Sequence, residues 1–92
     1  MAETTRTLSD ARRAYNQAYE DWLDADSKRS RAWDEYDMSL LRGVEPDVIM
    51  AFRVIANYRT EQVTLVEIRL ERCSDELTDA RARAHRALND RG

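Results

Sequence analysis

Two arginines stand where a helical seam would otherwise be apolar. Arg29 and Arg59 each occupy a heptad position filled elsewhere by alanine, aromatic or aliphatic residues. Two guanidiniums at one level, beside the small Ala32 and Ala56, make a candidate anion notch, because arginine's forked donors match carboxylate and phosphate geometry. The plainer reading has each side chain snorkelling outward to Asp26, Glu61 or a partner's carboxylate. A polar layer of this kind also fixes register in coiled coils.

Carboxylates are the second chemical feature. Glu20, Asp21, Asp24, Asp26, Asp34, Glu35 and Asp37 crowd one stretch of chain. Such an array can imitate a nucleic-acid backbone or dock on a basic protein surface. Its plainer reading is a solvated face balanced by Lys28 and Arg31 within three or four residues. Glu20, Asp21, Asp24, Asp34, Glu35 and Asp37 are the expected partner-binding face.

Little else points to catalysis or metal binding. His85 is the one histidine, and no Glu-x-x-His spacing accompanies it. Cys73 lies twelve residues away on a different helical face. No Ser/His/Asp set, glycine-rich phosphate loop or paired carboxylates in an evident pocket can be found. The expectation is a protein that is not an enzyme, with no cofactor and no metal.

These residues need long helices to position them. Ile49, Ala56, Val63, Leu70, Leu77 and Ala84 recur every seven, with Phe52, Arg59, Val66, Cys73, Ala80 and Ala87 three residues after each. An a/d stripe held this long predicts a coiled-coil-type helix. Earlier in the chain Leu8, Tyr15, Trp22, Arg29 and Tyr36 repeat likewise, followed by Ala11, Ala18, Ala25, Ala32 and Ser39. Thr7 suits an N-cap, Gly43 a left-handed terminator and Pro46 a first turn. The pattern predicts a first helix at about 7–42, a turn at 43–46 and a second helix at about 47–89, as one domain over 1–92. So short a connection forces the helices antiparallel. Leu8 then faces Ala80, Ala11 faces Leu77, Trp22 faces Val66 and Arg29 faces Arg59, large against small in most layers. Residues 1–6 have no periodicity and are expected to fray.

The seam leaves apolar residues over. Val48, Val54, Ile55, Tyr58, Leu65 and Ile68 lie off it in the second helix, and Trp33, Leu40 and Leu41 in the first. A helix this apolar must be covered. The expectation is an all-α hairpin dimerising into a four-helix bundle through Trp33, Leu40, Val48, Ile55 and Tyr58. Beyond about Arg81 the second helix overshoots the first, carrying Arg81, Arg83, Arg86 and Arg91.

Composition agrees with this architecture. Charged residues make up 36% of the 92, with two glycines and one proline, as long helices require. The net charge of −3 gives no general attraction to nucleic acid. All fifteen basic residues except Lys28 are arginine, a bias that a GC-rich coding genome explains. A single cysteine at a seam position reads as a small buried hydrophobe in a reducing compartment. No apolar run reaches the roughly 18 residues of a membrane span, so the expected location is cytoplasmic.

A helical hairpin of this length resembles the WXG100 secreted proteins, but Leu-Leu-Arg-Gly-Val-Glu-Pro stands where they have Trp-x-Gly. The Arg/Lys/Glu pattern of the all-α chorismate mutases has no counterpart. The functional expectation is therefore a small acidic coiled-coil adaptor or stoichiometric inhibitor. By analogy it would be phage-encoded and act on a host defence or nucleic-acid-processing complex. The alternative is a nucleic-acid binder using the basic C-terminal end and the Arg29/Arg59 layer.

Overall fold

The computed structural model describes residues 7–90. Residues 1–6 and Arg91, to which the expectations of fraying and of a further basic charge attach, lie outside it. Two helices make up the described chain: α1 spans Leu8–Arg42 and α2 spans Pro46–Asp90.

Local chemistry fixes each end. The Thr7 hydroxyl accepts from the Asp10 amide at 3.1 Å, which caps α1 with an acidic residue in its first turn. Gly43 takes φ 64° and ψ 36° just past Arg42. Its amide donates to the Leu40 carbonyl at 3.3 Å, and the Val44 amide donates to the Ser39 carbonyl at 3.4 Å. That pair of bonds is a Schellman closure, and its left-handed residue suits glycine. The Glu45 carbonyl then accepts from Val48 and Ile49 at 3.0 and 3.1 Å, opening α2. Pro46 is the first residue of α2, so the turn is one residue shorter than its sequence suggests.

Three linking residues return the chain antiparallel. The molecule extends 70 × 27 × 13 Å, a single layer of two helices. Its length is that of α2 alone, since 45 residues span roughly 67 Å. Every expected seam residue from Leu8 to Ser39 and from Ile49 to Ala84 is buried or half-buried. The register is the expected one: Ala11, Leu77 and Ala80 form a buried cluster with Leu8 and Tyr15 packed on it. Among the described residues Ser39 is the one buried polar side chain, and its hydroxyl donates to the Tyr36 carbonyl at 2.6 Å.

The core is thin. Of the eight buried apolar residues among those described, five are alanine, and the others are Val63, Cys73 and Leu77. Alanine brings the helices close but removes little apolar surface from water. Past Ala84, α2 continues beyond the level of Leu8, and Leu88 is exposed. No helix among the described residues is long and apolar enough to cross a membrane.

Candidate protein-binding surface

The hairpin has two unlike broad faces. One is aromatic. Tyr15, Tyr19 and Trp22 stack in series with centroids 6.4 and 6.2 Å apart, and Trp33 meets Tyr36 edge-on at 5.6 Å. Two lateral bonds tie this face across the helices. Trp22 Nε1 donates to Glu67 at 3.2 Å, and Trp33 Nε1 donates to the Thr60 hydroxyl at 3.0 Å. Thr60 passes the bond on, donating to the Ala56 carbonyl at 2.9 Å.

The other face is grooved, with Ala25 and Ala32 of α1 lining two of its hollows beside α2. Near the turn a cleft of 620 Å³ has Met38, Val44, Val48 and Phe52 in its wall, with Arg31, Asp34, Glu35 and Arg42 around them. Two smaller clefts follow along the face, one lined by Lys28, Arg31, Glu35 and Ile55, the next by Asp21, Asp24, Lys28, Tyr58 and Arg69.

Arg29 and Arg59 lie at one height but separate. Arg59 lines the clefts that include Ala25 and Ala32, the seam residues on either side of Arg29. Its guanidinium sits 5.7 Å from the Tyr58 ring centroid, on the grooved face. Arg29 lines neither cleft and is paired with Asp26 one turn earlier. The two guanidiniums are thus held by different partners.

The carboxylate array divides in the same way. Asp21 pairs with Arg69 across the helices at 2.8 Å, and Asp24 pairs with Lys28 at 2.9 Å. Glu20, Asp34, Glu35 and Asp37 are exposed and engage no ionic or hydrogen-bonding partner among the described residues. Asp34 and Asp37 lie one turn apart on the outer side of α1. Leu41 follows at the next turn and is 80% exposed, the most of any large apolar side chain described.

The five residues expected at a dimer interface fall on two faces. Trp33 and Leu40 are seven apart on the aromatic face, where Trp33 is already tied to Thr60. Val48, Ile55 and Tyr58 line the clefts of the grooved face. His85 is exposed on the overhang and Cys73 is buried, and no group of three metal-ligating side chains is found among the described residues.

No protein-family model, curated protein or solved structure matches the chain. The surface chemistry alone must therefore carry the functional reading. Sequence reasoning missed Thr60 and Glu67, although the signal was present. In an antiparallel pair the residues flanking one seam face their equivalents on the other helix, which sets Trp33 beside Thr60.

Proposed function

We propose that this chain is a non-enzymatic protein-binding rod, acting as an adaptor or stoichiometric inhibitor in homodimeric form. The observation that supports it best is the outer side of α1 near the turn. There Asp34 and Asp37, with Glu35 beside them, leave carboxylates without partners next to the exposed Leu41. An apolar anchor rimmed by desolvatable charge is the makeup of a protein-docking surface. The rim charges set partner choice and association rate, and the anchor supplies affinity. The target is a protein or protein complex with a pocket for Leu41 bordered by arginine or lysine. A phage protein aimed at a host defence complex is one bearer of such a surface, a reading that rests on analogy.

The rival reading, nucleic-acid binding, draws on Arg81, Arg83 and Arg86 near the C-terminal end of α2. They are flanked by Asp79 and Asp90, and the whole chain is net negative. Counterion release then gives little affinity. An oligonucleotide titration across salt concentrations separates the two. Weak binding at physiological salt is expected. Tight, salt-sensitive binding that disappears in Arg81→Ala/Arg83→Ala/Arg86→Ala would replace the protein reading with the nucleic-acid one.

A further inference from the structure

The helix α2 carries a second seam. Val48, Ala51, Ile55, Tyr58, Gln62 and Leu65 alternate spacings of three and four residues, the heptad signature of a helix–helix contact. This stripe lies on the grooved face, beside the seam that α1 fills. Its four large apolar members are 42% to 60% exposed. The stripe covers about 27 Å of helix and ends at Arg69 and Arg72. We infer that it is the self-association surface of the protein, and that two copies pair α2 against α2 in antiparallel orientation.

Three observations favour a second copy as the occupant. The first is self-complementarity. Antiparallel pairing of the stripe with itself sets Val48 opposite Leu65 of a second copy, Ala51 opposite Gln62 and Ile55 opposite Tyr58. Each position of one seam class then meets the other class, as antiparallel coiled coils require, and no charged residue falls inside the stripe. The second is charge at its ends. Glu45 and Asp47 flank one end, Arg69 and Arg72 the other. Parallel copies would set like against like, whereas antiparallel copies set opposite against opposite.

The third is area. The chain exposes 7264 Å², against roughly 5,500 Å² for a compact monomer of its mass. A stable interface takes about 800 Å² from each partner, which the excess accommodates. The thin alanine core gives a reason for the association. By contrast, the indole N–H groups of the aromatic face are already satisfied within one hairpin. This inference deepens the homodimeric part of the proposed function and names the surface and orientation that serve it.

Light scattering behind a sizing column gives the first test. Twice the 10.8 kDa chain mass is expected, falling to one chain in Ile55→Glu and in Tyr58→Lys, with helicity retained, and unchanged in Leu40→Glu. A wild-type monomer at high concentration would remove the dimer altogether. A dimer that survives both α2 substitutions but is lost in Leu40→Glu would keep dimerisation and overturn the seam. Orientation is read by oxidation in a Cys73→Ala background. Val48→Cys/Leu65→Cys should give disulfide-linked dimers and Val48→Cys alone should not. Efficient cross-linking of Val48→Cys alone would show parallel pairing and contradict the proposal.

Discussion

Trp33, Thr60, Arg29 and Arg59 show how single side chains finish what the heptad leaves open. The Thr60 hydroxyl accepts from the Trp33 indole and donates to the Ala56 carbonyl, so one side chain links both helices in the turn half of the hairpin. Thr60→Val keeps the shape and removes the acceptor, leaving a half-buried indole N–H without a partner. A loss of about 1 kcal/mol in urea unfolding is expected, with most of it absent in Thr60→Ser. Equal stability of all three would show the bond to be incidental. The arginine layer should behave oppositely. Arg29 pairs with Asp26 and Arg59 lies against Tyr58, so neither guanidinium holds the two helices together. Arg29→Leu/Arg59→Leu should fold with an equal or higher melting temperature, because an apolar layer often matches or exceeds a polar one. A broadened, lowered transition would mean that this layer sets the register.

At the scale of elements, α1 and α2 were legible because their seams repeat every seven residues and their ends carry punctuation that few other contexts explain. Thr7, Gly43 and Pro46 each perform the role their chemistry implies. Gly43→Ala tests this directly. Its φ of 64° is unfavourable for a side chain, although an added Cβ would meet nothing within 4 Å. The cost is then conformational alone, about 1 kcal/mol, and Gly43→Asn should cost less because asparagine tolerates the left-handed region. A loss of several kcal/mol, read by chemical denaturation, would point to contacts that the turn does not show. The edges of the helices were harder to read. Seam periodicity says which residues face inward, but charge pairing depends on which rotamer reaches which neighbour. Lys28, a balancing cation the sequence offers, does pair with Asp24, whereas the cross-helix pairing of Asp21 with Arg69 was not legible. The separation of Trp33 and Leu40 from Val48, Ile55 and Tyr58 followed from their heptad positions, since α1 and α2 present those edges to opposite faces.

The whole molecule is one helical layer, too thin to bury what its sequence offers. Most domains bury each helix face against a second layer. Here that layer would be a second copy on the grooved face, leaving the outer side of α1 for a different protein. On the proposed reading the two surfaces would be separable, with Ile55 and Tyr58 serving self-association and Asp37 and Leu41 the target, while Asp34 borders the Val48 cleft between them. The most direct test compares capture of a target from a lysate of the source cell by the wild-type chain and by Asp37→Lys/Leu41→Lys, each bearing the same tag. The account predicts a protein held at fixed stoichiometry by the wild type and lost from the double variant, while helicity and dimer mass stay the same. Undiminished capture by the double variant would contradict it.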